Sequence, residues 1–267
     1  MTINSMAASN LQTSMIRIAT GQRINSAADD AAGLGISERL HAQIRGLDRG
    51  TDNVRDMQNL VNTAEAGLST IGDSLLRIRE LSLQASNGIM TAGDRELIQH
   101  EIDQLMQEID SVAARTEFNG MRLLDGGFSA EDGRGLHVAA DAAGRGPTVH
   151  LGNFASSMIL GPEPVNVAAN DFDFTALAER LDNAHSRVNR ERSYIGAMSN
   201  RFDTTIAGNQ ITNLNLAAGR SRIQDADIAL EVMRMEQENV LEQSRILAQR
   251  RQQEEERNQH PLFTLLR

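Results

Sequence analysis

The residues of this sequence best suited to chemistry are its histidines and its acidic residues. On a helix, the pattern His-Glu-x-x-His places two imidazoles on one face, where they bind zinc while the glutamate acts as a base. The nearest match in this chain is His100-Glu101-Ile102-Asp103-Gln104, which has no second histidine. This segment therefore lacks the ligands of such a zinc site.

The other candidate groups also lack the spacing of a catalytic or metal site. Asp29 and Asp30 are neighbours on the backbone, so their carboxylates point apart, and we interpret them as helix-capping or intersubunit contacts. The chain contains no cysteine, which excludes disulfides and thiol nucleophiles. The remaining histidines are scattered: His41, His137, His150, His185 and His260. We therefore expect no enzymatic activity, no cofactor and no bound metal.

The composition favours long helices over a thick globular core, because only 3% of the 267 residues are aromatic and tryptophan is absent. The net charge of −10 argues against binding to nucleic acid or to anionic membranes. All 26 basic residues are arginine, which suits contacts between subunits and equally fits a genomic base bias. We find neither a Sec signal peptide nor an apolar run of ~18 residues, so these features alone indicate a cytoplasmic protein without membrane insertion.

A strict seven-residue apolar repeat between Leu40 and Ala85 dominates the chain. It forms two rows, the second lying three residues after the first, as in the a/d seam of a coiled coil. The second row contains Met57, Ala64, Ile71, Ile78 and Ala85. The glycines in this window lower helix propensity by roughly 1 kcal/mol each, so packing on the seam must supply the stability. A partner helix is therefore required.

The same repeat returns late in the chain and supplies that partner. Pairing the two helices covers both rows, so we predict a mainly α fold. Long antiparallel heptad helices would form a coiled-coil or bundle rod, with a small β-hairpin region. Glu191 is the one polar residue in the late series. We interpret the following residues as a self-assembly seam: Leu40, Leu47, Val54, Val61, Leu68, Leu75, Leu177, Leu181, Val188, Ile195, Met198 and Phe202.

Shorter elements precede the first long helix and follow it. The apolar spacing over residues 1–20 predicts a short amphipathic helix, and the small residues and glycines of 21–38 predict an irregular joint. The sequence Ser86-Asn87-Gly88 suits a left-handed helix stop. Thr91 or Asp94 would then cap an antiparallel return helix, because the connection is short.

The second half of the chain contains one clear β signal and a last helix. Apolar residues alternate over 136–140 and 149–151 around a turn-forming segment, which predicts a β-hairpin. The last helix becomes polar on every face at 250–257, where we expect it to be solvated or frayed. Pro261 is predicted to end it, and residues 262–267 form an apolar tag that a lone subunit would leave exposed.

Several motifs closely resemble those of bacterial flagellins, in the same order and across nearly the whole chain. The most specific ones lie in the predicted joint, Arg23-Ile24-Asn25-Ser26-Ala27 and Asp29-Asp30-Ala31-Ala32-Gly33-Leu34. Further matches are Arg77-Ile78-Arg79-Glu80-Leu81, Gln84-Ala85-Ser86-Asn87-Gly88, Phe118-Asn119-Gly120, Ser221-Arg222-Ile223, Asp225-Ala226-Asp227 and Leu265-Leu266-Arg267. By these motifs the chain is identified as a member of that family.

The resemblance implies an organisation and a function. Residues 1–25 and 221–267 would be inner-core helices of a filament, and residues 26–220 a rod domain, with the β-hairpin region at about 121–170 in place of outer domains. Subunits of this family polymerise into the extracellular flagellar filament, the helical propeller of swimming bacteria. The implied partners are further copies of the chain, the filament cap, junction proteins, and a type III export apparatus with its chaperone, which would explain the absence of a Sec signal.

The resemblance also implies a contact with an animal host. In flagellins sensed by the flagellin-sensing Toll-like receptor, contacts centre on positions matching Arg77, Leu81 and Glu101, and all three residue types are present here. Self-assembly is the other explanation for these residues, since the same region packs protofilaments together.

Two alternatives and two departures from the family pattern accompany this interpretation. A hook–filament junction protein shares the terminal helices but departs from the Arg-Ile-Asn-Ser-Ala and Phe-Asn-Gly motifs, and an intracellular helical scaffold would explain the heptads alone. The helix before Gly21 is shorter than the family pattern, and residues 250–257 are charged where flagellins are usually small and neutral. We hypothesise that these two changes are matched inside the filament.

Overall fold

The computed structural model describes residues 2–130, 133–169 and 172–264, and it describes residues 2–9 and 256–264 as helical backbone only. Long helices and short antiparallel strands make up this part of the chain, which confirms the predicted mainly α fold. The helices are α1 (Thr2–Thr20), α2 (Ala27–Ala85), α3 (Ala92–Arg115), α4 (Ser156–Ile159), α5 (Phe174–Gln224) and α6 (Ile228–Thr264). The strands are β1 (Glu117–Phe118), β2 (Met121–Arg122), β3 (Asp125–Phe128), β4 (Leu136–His137), β5 (Thr148–Val149) and β6 (Leu151–Asn153).

The chain divides into two compact units. The first unit contains the two ends of the chain, up to Ile44 and from Leu214 onward, and within it α1 packs against α6. The second unit contains Arg45–Asn213. The helices α2 and α5 are long enough to supply residues to both units.

The predicted irregular joint over residues 21–38 is wrong for most of its length, because α2 begins at Ala27 and contains only a kink at Asp30. Asp29 explains this early start. Its carboxylate accepts hydrogen bonds from the backbone N–H and the hydroxyl of Ser26, at 2.9 and 3.0 Å. The carboxylate thereby satisfies donors that precede the first turn of the helix, which the run of small residues does not reveal.

In the second unit, α2 and α5 pair in opposite directions, as predicted. Contacts between their polar side chains run in opposite numerical order along the two helices: Gln58–Asp203, Glu65–Arg192 and Arg79–Asp182. The return helix α3 begins at the predicted cap. The Asp94 carboxylate accepts a hydrogen bond of 3.0 Å from the backbone N–H of Thr91, and the Thr91 hydroxyl accepts one of 3.2 Å from the backbone N–H of Asp94. Both residues proposed for the cap therefore take part in one capping box.

The end of α2 differs from the prediction. Neither Asn87 nor Gly88 has a positive φ, so the left-handed stop is wrong. The last turn is closed instead by the backbone N–H of Ser86, which donates to Ser82, and by that of Asn87, which donates to Gln84, at 3.0 and 3.2 Å. Bonds of the second kind, which span three residues, tighten the helix end without glycine at a left-handed position.

The end of α6 also differs, because the helix passes through Pro261 and continues to Thr264. A proline keeps a helical φ, so a helix can pass through it, although the lost N–H and the crowding of its ring against the carbonyl four residues earlier weaken the helix there. Residues 250–255 are helical and exposed, which confirms a solvated helix over this charged segment. The side chains of the predicted apolar tag lie outside the described residues, as do those of Ile3 and Ala7 in α1.

The predicted β-hairpin is confirmed. Strands β4 and β5 pair antiparallel, with Leu136 opposite Val149 and His137 opposite Thr148. Two further antiparallel pairs were not predicted. Strands β1 and β2 meet at a tight turn in which Asn119 and Gly120 have φ values of 51° and 75°, and β3 pairs with β6. These strands have two to four residues each, which is too short for an alternating apolar pattern.

Three glycines of α2 allow the chain that follows α3 to lie directly against this helix. A Cβ atom on any of them would overlap a neighbouring segment, so each position requires glycine for packing. The neighbours are Ala142 at Gly46, the Ala140 carbonyl at Gly50, and the Thr116 and Leu124 side chains at Gly67. The low helix propensity of these glycines is therefore offset by contact with the hairpin and its flanks.

Candidate assembly surface

The residues predicted to form the seam lie inside the chain. Leu40 is half-buried, and every other seam residue is at most 8% exposed. Burial of one Leu or Val side chain contributes about 1.5–3 kcal/mol, so this apolar series accounts for the cohesion of the second unit. Apart from Leu40, these side chains are covered by the chain itself.

Exposed apolar side chains are concentrated on the helices of the first unit. Ten of them form a set that we call the terminal apolar surface: Met15, Ile16, Ile228, Leu230, Val232, Met233, Val240, Leu241, Ile246 and Leu247. Within this set, Met233, Val240 and Leu247 follow one another at seven-residue spacing and are 61%, 59% and 59% exposed. An apolar stripe of this extent marks an interaction surface rather than scattered exposure.

One buried acidic residue lies beneath this surface. The carboxylate of Glu231 lies 3.4 Å from the guanidinium of Arg17 in α1 and 3.1 Å from that of Arg234 in α6. A buried carboxylate is destabilising unless it is paired, so these arginines are required where they lie. Sequence reasoning missed Glu231, because an acidic residue within a helix gives no signal of burial.

The two flagellin-like motifs at the ends of the chain meet in the first unit. The backbone N–H of Arg23 donates to the carbonyl of Gln224 at 2.6 Å, and the Arg23 guanidinium donates to the carbonyl of Ile223 at 2.7 Å. The N–H of Ala226 donates to the Gly21 carbonyl at 2.9 Å. Residues 21–24 therefore bind the chain where α5 ends and α6 begins.

The acidic pair in this region serves the backbone, in agreement with the capping interpretation. Hydrogen bonds from Ser26, and then one from the backbone of Asn25, lower the pKa of Asp29. Asp30 accepts a hydrogen bond of 2.8 Å from the backbone N–H of Gly33. The two carboxylates thus act on different turns rather than as a catalytic pair.

The three residues matched to receptor contacts lie in the second unit. Arg77 forms an ion pair of 2.7 Å with Glu101, and about half of each side chain is exposed. Hydrogen bonds that Arg77 donates to Glu101, and then to Glu80, raise the pKa of Arg77. The side chain of Leu81 is 2% exposed and packs in the core, so only the ion pair is presented to a partner in this conformation.

Within the part of the chain that the structure describes, no three His, Cys, Asp or Glu side chains converge as metal ligands. His100, from the incomplete zinc motif, is exposed on α3. No described helix has the length and apolar character needed to cross a membrane.

Comparison with known proteins gives the family. Residues 1–129 match the family model of the bacterial flagellin N-terminal helical region, and residues 178–257 match that of the C-terminal helical region. The chain is 36% identical over 246 residues to flagellin FlaB2 of Treponema pallidum, an alignment that covers 88% of this chain and 86% of the relative. The chain belongs to the bacterial flagellin family. Its function as a subunit of the flagellar filament, and its location outside the cell, follow from this membership.

Further comparisons agree with this family and fold. The flagellin is 34% identical over 290 residues to flagellin of Bacillus subtilis, which covers 94% of this chain and 93% of the relative. The crystal structure of Bacillus cereus flagellin aligns with 59% of this chain and 88% of its own, with a TM-score of 0.50 at 30% identity. A putative flagellar hook-associated protein from Vibrio parahaemolyticus aligns with 74% of this chain and 100% of its own, with a TM-score of 0.60. Its 16% identity shows a shared fold alone.

Proposed function

We propose that the flagellin polymerises through the terminal apolar surface, and that the resulting filament acts as the helical propeller for swimming. The observation that carries this proposal is the stripe of Met233, Val240 and Leu247, of which more than half of each side chain faces water. Burying such side chains between copies is worth about 1.5–3 kcal/mol each. Order at the chain ends is then coupled to polymerisation, since a neighbouring copy stabilises the ordered form.

The terminal segments and the rest of the subunit then have different roles in the filament. Residues 1–25 and 221–267 supply the contacts of the filament core, and residues 26–220 form the surrounding layer. The saturated core of the second unit supports this proposal, because Val54, Leu68 and Phe202 have no exposed surface left to offer another copy. The charged segment at 250–257 would then be a feature of the core.

Electron microscopy after salt-induced assembly tests the proposal. We expect the full chain to form filaments, and the variants Val240→Asp and Leu247→Asp to stay monomeric, because each places a charge on the stripe. Gln243→Asp is the control, since Gln243 is an exposed polar residue of the same helix. A copy truncated before Gly21 and after Asp225 should also fail to assemble. Failure of the unmodified chain to polymerise would favour the alternative of a hook–filament junction or minor flagellin-like protein.

The remaining partners follow from the proposed mode of assembly. A subunit whose ends gain further stability from neighbouring copies is suited to travel in an unfolded form, which fits export by a type III apparatus with a chaperone. Its addition at the distal end requires a filament cap, and junction proteins would connect the filament to the hook. We further propose that the protein has no enzymatic activity, which agrees with the capping roles of Asp29 and Asp30.

Recognition by the animal flagellin-sensing Toll-like receptor is a second candidate function. The exposed Arg77–Glu101 pair supports it, and Leu81 would act by packing beneath that pair. Soluble monomer is expected to activate a receptor reporter, and Arg77→Ala to reduce that response. Arg79→Ala is a matched control, since Arg79 lies on the same helix as Arg77 and forms a similarly exposed ion pair with Asp182 of α5. A silent reporter with the unmodified monomer would reject this function.

A further inference from the structure

The second unit contains a cleft that neither the seam nor the assembly surface explains. Its volume is about 520 Å³, within the range of small-ligand sites. Residues of β3, β6 and α5 contribute most of its walls. Its polar lining includes Asp125, His150, Asn153, Arg187, Glu191 and Tyr194.

Glu191 is the unusual residue of this cleft. It occupies a position in the apolar series of α5 that otherwise contains Val188 and Ile195, and it is half-buried. One of its oxygens accepts a long hydrogen bond, 3.3 Å, from the backbone N–H of Gly152. Burial raises the pKa of Glu191, against the smaller opposing effects of Gly152 and Arg187. A carboxylate in a core position with so little compensation has unused capacity to accept hydrogen bonds.

The cation beside Glu191 is directed elsewhere. Arg187 donates to the carbonyls of Met158 and Asn153, at 2.9 and 3.3 Å, and its guanidinium lies 5.8 Å from the centre of the Phe154 ring. In these contacts the N–H groups of Arg187 donate to backbone carbonyls. The positive charge of Arg187 therefore offsets only part of the negative charge in the cleft.

Two further side chains bring polar atoms to the cleft. The Nδ1 atom of His150 is buried and has no hydrogen-bond partner within the described part of the chain. The carboxylate of Asp125 also lines the cleft and uses one oxygen to accept from the N–H of Gly127 at 3.0 Å. An occupant that satisfies the carboxylates of Glu191 and Asp125 must therefore supply several donors and a positive charge.

We propose that the cleft binds a guanidinium group, which the Glu191 carboxylate holds in a bidentate pair. A guanidinium presents five N–H donors in a planar fork that matches a carboxylate, whereas an ammonium is a more strongly hydrated point charge. The chain itself offers this ligand, since all 26 of its basic residues are arginine. The source is then an arginine of a second copy or a separate arginine-containing molecule. Binding by the monomer does not depend on the proposed polymerisation.

Calorimetric titration of the full-length monomer with N-acetyl-arginine amide tests the proposal. We expect saturable binding, and a loss of affinity of about tenfold in Glu191→Gln, which keeps the side-chain shape and removes the charge. Glu179→Gln is the matched control, because Glu179 is an exposed glutamate of the same helix outside the cleft lining. N-acetyl-lysine amide should bind more weakly than the arginine probe, and trehalose should not bind.

A pH series provides a second readout. Binding a cation favours the ionised form of Glu191, so complex formation should release protons in acid and the affinity should fall as the pH is lowered. Asp125, His150, Arg187 and Tyr194 also face the cleft. The series is therefore repeated with Glu191→Gln, and the difference between the two proteins isolates the contribution of Glu191.

The results that would overturn the proposal are distinct from a failure to fold or to polymerise. Circular dichroism establishes that Glu191→Gln is folded. The proposal is wrong if the unmodified monomer does not bind the arginine probe, if folded Glu191→Gln binds it equally well, or if trehalose binds as well. Filaments then distinguish the source, because an arginine from a neighbouring copy blocks the probe in filaments, whereas a separate ligand leaves the cleft open there.

Discussion

The Ser14 hydroxyl donates a hydrogen bond of 3.3 Å to the carboxylate of Glu231, a residue 217 positions further along the chain. Both side chains are buried, at 5% and 4% exposure, so the contact joins α1 to α6 away from water. The guanidinium groups of Arg17 and Arg234 complete the environment of the same carboxylate. A buried polar contact of this kind fixes the register of two helices, because sliding either helix would leave the charge unpaired.

Replacing Glu231 by alanine should therefore loosen the first unit. The change leaves Arg17 and Arg234 without their shared anion and creates a cavity beside Ser14. We expect a destabilisation of about 1–3 kcal/mol, at the lower end for a buried ion pair because both arginines reach solvent. Hydrogen exchange of the amides in α1 and α6 measures it. Glu236→Ala, at an exposed position of α6, should leave exchange unchanged, and an equal effect of both variants would contradict the anchoring role of Glu231.

Two glycines of α2 should respond to alanine in opposite directions. In Gly50→Ala the new Cβ meets the carbonyl of Ala140, so we expect a destabilisation of about 1–3 kcal/mol from the forced shift of the hairpin. At Gly72 the nearest atom is Cγ1 of Val188 at 3.7 Å, an ordinary contact. Gly72→Ala should therefore stabilise the helix, by up to about 1 kcal/mol. Urea unfolding of the two variants measures the difference, and stabilisation by Gly50→Ala would show that the hairpin does not press on α2.

The capping box of α3 should make its stability depend on pH. Hydrogen bonds from the hydroxyl and the backbone N–H of Thr91 lower the pKa of Asp94. A lowered pKa in the folded state means that the stabilisation is present above the unfolded pKa, near pH 4, and is lost as the pH falls through the folded pKa. Asp94→Asn should therefore be less stable than the parent at pH 7, and the gap should close in acid.

Thermal unfolding across this pH range measures the effect of Asp94→Asn, with Glu96→Gln as the control on the same helix. A gap between Asp94→Asn and the parent that persists unchanged in strong acid would show that the cap does not depend on the charge.

The opposite sign is expected for Glu191. Because burial raises its folded pKa, the folded state binds the proton more tightly than the unfolded state does. The contribution of Glu191 to the stability of the folded protein is therefore highest below the unfolded pKa, near pH 4.3, and declines as the pH rises through the folded pKa. Glu191→Gln should be more stable than the parent at pH 7 and equal to it in acid. Thermal unfolding in the absence of any guanidinium compound measures this, and a less stable variant at pH 7 would contradict the burial of charge.

The long helices were predictable because their signal is local. Apolar spacing of three, four and seven residues specifies which face of α2 and α5 is buried, and Phe202 and Leu68 are indeed fully covered. The caps of α3 were predictable for the same reason, since Thr91 and Asp94 interact across three residues. In these elements the residues that carry the signal lie within two turns of each other.

Three of the features that were missed depend on distant parts of the chain. Strand β3 finds its partner β6 across an intervening hairpin, and neither strand is long enough to show alternation. The environment of Glu191 is set by Gly152 of β6, and that of Glu231 by Ser14 in α1. No window of sequence around either glutamate contains these partners, so Glu191 stood out only as a polar residue in an apolar series and Glu231 did not stand out at all.

The glycine contacts on α2 couple the lengths of two segments. Ala140 packs against Gly50 and Thr116 packs against Gly67. These two contacts fix the distance between the ends of the segment from Thr116 to Ala140. Adding one heptad to α2 between them would preserve the apolar repeat yet separate the points by about 10 Å along the axis. Such an insertion requires a matching extension of the segment from Thr116 to Ala140. Extra residues that bulge outward from that segment need no change in α2, so length variation is tolerated on one side of this contact and restricted on the other.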